Sequence, residues 1–210
     1  MPEHVDDSAE TLNLLEHFRA ELPTAFKALE DKYASFLLRI VELRIDPRLR
    51  PRFDPADVVQ ESLLEIFRRL SEYLDRRPMP FRLWIRETTL ERLLKLHRQH
   101  LHAQRRAVGR EVSLLVQSSL ALAQCLHSKG LSPSGHLNQA EVVERVREVL
   151  SQLPETDREI LLLRTVEGLS NAEIAYQLGV STEAVSKRHG RALLRLGKRL
   201  REDGFGSSKQ

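Results

Sequence analysis

The sequence predicts an all-α chain of two small helical domains joined by a linker, with a helix-turn-helix in the C-terminal one. Apolar residues recur every three or four positions through the front half, beginning with Leu12, Leu15, Phe18 and Leu22. The stretch from Ser170 to Arg201 carries the caps and the glycine that two helices around a tight turn require. Between these halves, from Ser113 to Ala140, the composition shifts to Ser, Gln, Leu and small residues. Lys129 is the sole charge there and SPSG runs from Ser132 to Gly135, the pattern of a connecting segment.

Composition bounds the function. A chain of 210 residues with 41% hydrophobic and 30% charged residues falls among globular proteins, and its length suits two small domains. A formal net charge of only +3 excludes a uniform basic coat, so the distribution of charge carries the information. Residues 1 to 31 hold eight carboxylates against Arg19 and Lys27, which leaves the front acidic. Cys125 stands alone, so neither an internal disulfide nor a thiolate metal cage is expected. No apolar run approaches the roughly 20 residues of a membrane span, and acids occupy the place of a signal peptide's lysines. A cytoplasmic protein without a membrane contact is the expectation.

Residues 1 to 10 are polar, acidic and aperiodic, and are expected to be disordered. Two helices should cover Leu12 to about Ile45, with Pro23 near the start of the second. Asp54 can cap a third, with Pro55 at its first position and Asp57 in its first turn. Val59, Leu63, Ile66, Phe67, Leu70 and Leu74 would form its buried stripe, leaving Asp57, Gln60, Glu61 and Arg68 outside. Pro78 and Pro80 mark a loop, followed by a helix with Phe81, Trp84, Ile85, Thr88, Leu93 and Leu96 available for packing. From Arg82 to Arg110 eight cations face Glu87 and Glu91, a basic patch beside aromatic rings that could stack on unpaired bases. The spacing of Trp84 suits core packing equally well.

Helix returns at about Gln139 to Leu150, and Thr156 with Glu159 reads as a capping box before ILLLRTVEG, closed by Gly168. Ser170 and Glu173 form a second box, so a short helix starts near Asn171 with Ile174, Ala175 and Leu178 on one face. Gly179 supplies the left-handed stop and Ser181 caps the last helix, whose stripe is Val185, Ala192, Leu193, Leu196 and Leu200. Ala175 permits close approach and Val185 fills the angle between the two helices, the helix-turn-helix arrangement. From Thr182 to Arg201 seven cations face only Glu183, a net +6 that attracts phosphates. Gly190 and Gly197 oppose helix formation by about 1 kcal/mol each relative to Ala, and a glycine at Gly190 would let backbone come close to DNA.

No catalytic constellation is found. Glycine-rich phosphate loops, H-E-x-x-H and G-x-S-x-G are absent from the sequence. His97, His100 and His102 cluster, yet only the first two approach one helical face and no Cys or carboxylate completes a metal site. Neither cofactor nor metal is expected.

In this order the motifs resemble the extracytoplasmic-function (ECF) class of RNA polymerase sigma factors, two-domain members of the sigma-70 family. DPADVVQESLLEIFR resembles the family's D-x-x-Q-E-x-x-L helix, and FRLWIRETTLERLLKLHR its F-R-x-W-L helix. LPETDREILLLRTVEGLSNAEIAYQLGVSTEAVSKRHGRALLRL resembles its upstream-element reader, and RIDPRLRPRFDPADVVQES is most similar to members from planctomycete-type bacteria. The resemblance implies that Asp57, Gln60 and Glu61 bind core RNA polymerase. It implies that Arg76, Arg77, Phe81, Arg82, Trp84, Arg86 and Arg98 serve recognition and melting of the -10 element, the loop from Arg76 to Arg82 meeting a flipped base. Thr182, Glu183, Ser186, Lys187, Arg188 and Arg191 would enter the major groove at the -35 element. The implied organisation is an acidic segment (1–24), a polymerase-binding and melting domain (25–110), a linker (111–138), the -35 domain (139–203) and a disordered tail (204–210). Core polymerase, promoter DNA and an anti-sigma factor are the implied partners of a chain that is monomeric when free and is not an enzyme. The chain departs from the family at Glu91 and Lys95, where many members have Asn and Asp, and in the prolines of its loop. The rival reading is a stand-alone helix-turn-helix regulator with residues 1 to 110 as a sensor or oligomerisation domain.

Overall fold

The computed structural model describes residues 8–18, 22–46, 48–101, 122–123 and 139–204. Among the described residues the regular elements are all α-helices: α1 (Ala9–His17), α2 (Leu22–Arg44), α3 (Pro55–Arg76), α4 (Phe81–Leu101), α5 (Gln139–Ser151), α6 (Glu155–Thr165), α7 (Asn171–Leu178) and α8 (Thr182–Glu202). The chain divides near residue 108 into two compact units, α1–α4 and α5–α8. Nearly all of the expected linker and tail lies outside the described residues.

In the first unit, the Ser8 side chain accepts from the Thr11 amide at the start of α1. The Thr11 hydroxyl then meets the Tyr33 hydroxyl of α2 at 2.7 Å in a buried contact. Leu15 and Phe18 are buried, and Phe18 and Phe26 each set an edge against Phe67 at 5.2 Å. These contacts pack α1 and Phe18 into the first unit. Helix α2 buries Leu29, Tyr33, Phe36, Leu37 and Ile40, with Pro23 in its first turn where a missing N–H costs nothing.

Helix α3 starts as expected, the Asp54 carboxylate accepting from the Ala56 amide with Pro55 and Asp57 in the first turn. Its buried face is wider than expected and rotated, because α3 packs on both α2 and α4. Val58 and Tyr73 are buried, whereas Phe67 and Leu74 are only partly covered. The loop to α4 comprises residues 77–80, shorter than the expected Arg76 to Arg82, because Arg76 ends α3 and Phe81 and Arg82 already belong to α4. Arg77 adopts a left-handed φ of 37°, and its N–H donates to the Tyr73 carbonyl. The Tyr73 hydroxyl donates to the Met79 carbonyl at 2.9 Å.

The histidines of α4 are structural. His97 Nε2 accepts from the Asp46 amide at 3.2 Å, and the His100 ring lies 4.7 Å from that of Phe53, so both tie down the 45–54 connection. Hydrogen bonds from the Arg48 side chain hold the Asp46 carboxyl below its ordinary pKa, against the opposing effect of burial. Among the described residues no cluster of His, Cys, Asp and Glu is arranged for a metal, and His102 lies outside them.

In the second unit, the expected box at Thr156 and Glu159 is corrected. Helix α6 starts at Glu155 behind Pro154, whose carbonyl accepts from the Asp157 and Arg158 amides, so Thr156 lies inside the first turn. The second box is present: Ser170 Oγ accepts from the Glu173 amide at 3.1 Å and the Glu173 carboxylate accepts from the Ser170 amide at 2.7 Å. Gly179 closes α7 at φ 63°, its N–H donating to Ala175 and Tyr176 carbonyls, and Ser181 Oγ accepts from the Ala184 amide. Ala175 and Val185 are buried between the two helices. Ser170→Ala should lower stability by about 1 kcal/mol; an unchanged midpoint in urea denaturation would show that the box contributes nothing.

Candidate functional site

The last helix presents one face to the core and another to solvent. Val185, Ala192, Leu196 and Leu200 are buried. Leu193, expected in that stripe, is instead 44% exposed beside Leu194 at 74%, because the helices behind α8 cover too narrow a sector to reach it. Glu183, Ser186, Lys187, Arg188 and Arg191 are exposed and Thr182 is half-buried. Lys187 Nζ lies 3.9 Å from Glu183, and Arg191 Nε donates to the Lys187 carbonyl at 3.3 Å, so these cationic heads stay in solvent on the first turns.

The charge of α8 is divided between two tasks. Arg195 donates to the buried Asp157 carboxylate of α6 at 2.6 Å, and Arg199 donates to Gln152 at 2.6 Å. Arg145 of α5 pairs with Asp203 at 2.8 Å just beyond the end of α8. Burial, then the charge of Arg164, lowers the pKa of His189, which keeps that imidazole neutral near pH 7. The surface open to an anion is thus smaller than the sequence count, with Arg195 and Arg199 engaged inside the unit while Lys187, Arg188, Arg191, Lys198 and Arg201 stay exposed. A Cβ at Gly190 would meet nothing within 4 Å, so internal packing does not demand glycine there.

The first unit brings its site residues into two groups. Asp57, Gln60 and Glu61 are exposed along α3, opposite the buried Leu63 and Ile66. Gln60 Nε2 donates to Glu30 of α2 at 2.8 Å, while Glu61 pairs with Arg92 of α4. Beside this pair a groove of about 720 Å³ between α3 and α4 includes Leu64, Arg69, Leu94, Lys95 and Arg98 in its lining. Arg69 bridges Glu65 at 2.7 Å and Glu91 at 2.9 Å. Arg92 therefore joins the surface that carries Glu61, and the sequence pattern gave no sign of it.

The second group is not gathered in one place. Arg76 and Arg77 are exposed at the 77–80 loop, Arg76 with Glu72 at 2.9 Å, whereas Arg98, exposed near the C-terminal end of α4, lines the groove beside Glu61 and Arg92. Arg82 lies over the Phe36 ring at 4.3 Å, and Arg86 is only 6% exposed. Phe81, which the sequence offered for packing and the resemblance placed among the -10 residues, is fully buried, with Tyr73 and Tyr33 centroids at 5.3 and 5.5 Å. Its ring offers no free face, because an aromatic at the first position of α4 points back into the three-helix core. Trp84 is half-buried, tilted over Tyr73 at 4.6 Å and over Phe81 at 5.8 Å.

These geometries coincide with relationships found by comparison. Residues 143–196, from α5 into α8, match the family model described as Sigma-70, region 4. "Probable RNA polymerase sigma factor RfaY" of Xanthomonas campestris is 30% identical over 187 residues, covering 88% of this chain and 44% of that protein. "ECF RNA polymerase sigma factor SigD" of Mycobacterium tuberculosis is 29% identical over 172 residues, covering 82% of this chain and 75% of that protein. The chain is thus similar to ECF sigma factors over most of its length and to sigma-70 region 4 over residues 143–196. Sigma factor CnrH of Cupriavidus metallidurans is 29% identical over 153 residues, 73% of this chain and 76% of CnrH. The structure of CnrH in complex with the cytosolic domain of CnrY matches the fold with a TM-score of 0.50 at 23% identity, covering 90% of this chain and 96% of that one. The chain spans under half the length of the Xanthomonas relative and about three quarters of the other two. Among its described residues no helix is long and apolar enough to cross a membrane.

Proposed function

We propose that this chain is a sigma factor that binds core RNA polymerase and directs promoter recognition, strand opening and transcription initiation. The observation that carries the proposal is the division of α8, a buried stripe of Val185, Ala192, Leu196 and Leu200 behind solvent-exposed Lys187, Arg188 and Arg191, inside a matched sigma-70 region 4. Helices of this kind read the major groove from their first turns. We assign -35 contact to Thr182, Glu183, Ser186, Lys187, Arg188 and Arg191, and polymerase binding to Asp57, Gln60 and Glu61. The -10 surface comprises Arg76, Arg77, Arg82, Trp84 and Arg98, with Phe81 and Arg86 supporting it from within. Residues 25–110 and 139–203 are the corresponding functional domains. The complex of CnrH with the cytosolic domain of CnrY supports a protein partner of the anti-sigma kind for this chain. Chemistry would come from the polymerase, and the site of action would be the cytoplasm.

The test is transcription by purified core polymerase with and without this protein, together with co-purification of the two. Promoter-dependent transcripts only in its presence are the expected result. Tight binding to a two-fold symmetric DNA site without polymerase, and no association with the core enzyme, would instead favour the stand-alone regulator. Lys187→Ala and Arg191→Ala should each weaken promoter binding by the holoenzyme. A base contact would relax selectivity at one base pair by about 1 to 3 kcal/mol, and a phosphate contact would reduce the salt slope by about 1.

A further inference from the structure

We propose that Asp157 and Arg195 form a latch that sets how α8 is presented to DNA, so that Arg195 acts as a positioning residue rather than a phosphate contact. The inference rests on the assignment of α8 as the DNA-reading helix. By sequence Arg195 is the more natural DNA ligand, since it follows Arg188 by seven residues and therefore lies on the same face two turns further on. The structure gives it another occupation. Its guanidinium donates to Asp157 Oδ2 at 2.6 Å, and the Asp157 side chain retains only 9% of its exposure while that of Arg195 retains 54%.

The acceptor is well placed to hold α8. Asp157 stands in the first turn of α6, a helix anchored by the buried Ile160, Leu161, Leu162 and Leu163, so the carboxylate is fixed on the core. A carboxylate this enclosed, left without its cation, loses a partner it cannot replace from water, which favours keeping Arg195 at home. Two further polar ties, Arg199 to Gln152 and Arg145 to Asp203, hold the same C-terminal half of α8 to the 139–152 segment. The first turns, where Lys187, Arg188 and Arg191 stand, have no such ties to α5 or α6 among the hydrogen bonds and ion pairs of those three side chains. The polar ties gather in the C-terminal half of α8, while Lys187, Arg188 and Arg191 of the other half face solvent.

The two roles of Arg195 predict opposite signs. If Arg195 bound phosphate, Asp157→Asn would release it and strengthen DNA binding, whereas Arg195→Gln would weaken binding and lower the salt slope by about 1. If the pair positions the helix, both substitutions weaken binding, and the double variant is no worse than either alone because one interaction has been removed. The experiment measures holoenzyme affinity across a salt series for a fragment selected by the wild-type holoenzyme from a randomised -35 library. Melting of each free variant is recorded, and Lys187→Ala serves as the reference for a direct contact.

The expected result is a loss of at least about threefold for Asp157→Asn and for Arg195→Gln, with the slope unchanged and the losses non-additive. A gain of affinity in Asp157→Asn would overturn the latch. So would affinities equal to wild type in variants whose melting temperatures fall, since the pair would then serve folding alone. Silence of Lys187→Ala together with both latch variants would overturn the DNA assignment of α8 and the latch with it. Silence of the latch variants beside a weakened Lys187→Ala would overturn the latch only.

Discussion

Phe81→Ala should destabilise the first unit by about 3 to 5 kcal/mol, the range for removing a buried aromatic. Phe81 has no exposed surface, and Tyr33, Tyr73 and Trp84 all approach its ring within 6 Å, with centroids at 5.5, 5.3 and 5.8 Å. These neighbours come from α2, α3 and α4, so alanine would leave a void where three helices meet and none could collapse into it alone. Arg77→Ala is the comparison: that side chain is exposed, and its loss should shift stability by less than about 1 kcal/mol. In transcription, Phe81→Ala should fail on matched and pre-opened promoter templates alike. Arg77→Ala should fail more on the matched template if it promotes opening. Urea denaturation of the full chain decides the first point, and equal midpoints for the two variants would remove Phe81 from the core.

Combining Gln60→Ala with Glu61→Lys should reduce binding of core polymerase by thirtyfold or more, on the order expected when an interface anchor is lost and its charge reversed. The fold should tolerate the change. The Glu61 pair with Arg92 is exposed, and such pairs contribute only about 0.2 to 1 kcal/mol. Helix content by circular dichroism should therefore match wild type while polymerase fails to co-purify. Undiminished co-purification would mean that the polar face of α3 is an ordinary solvated surface.

The two halves of that contrast differ in how far they could be read from the chain. Local signals were legible: Asp54 before Pro55, Ser170 with Glu173, Gly179 and Ser181 each work through atoms within a few residues, and each stands where the pattern put it. Thr156 and Glu159 offered the same pattern, yet Pro154 two residues earlier had already set an extended backbone and begun the helix. What the chain concealed was long-range. Nothing near Arg195 or Arg199 in sequence announces Asp157 or Gln152, so a count of charges includes both in the net +6 that attracts phosphates. Phe81 beside a basic loop could equally serve a base or a core, and only the arrival of Tyr33 from another helix decides between them. Leu193 fits the helical period as well as Leu196 does, but periodicity does not say how wide a sector the neighbouring helices cover.

The 77–80 loop has a thermodynamic consequence of its own. Arg77 holds a left-handed conformation that glycine would adopt with less strain, Pro78 and Pro80 fix their own torsions, and Tyr73 anchors the Met79 carbonyl from below. Ordering a free backbone residue costs about 1 to 2 kcal/mol. In this loop most of that cost is met when the helices fold, before any strand arrives. A nucleic acid entering there would encounter a surface already in its final shape, and its capture would be governed by contact and desolvation, with little entropy left to lose on the protein side.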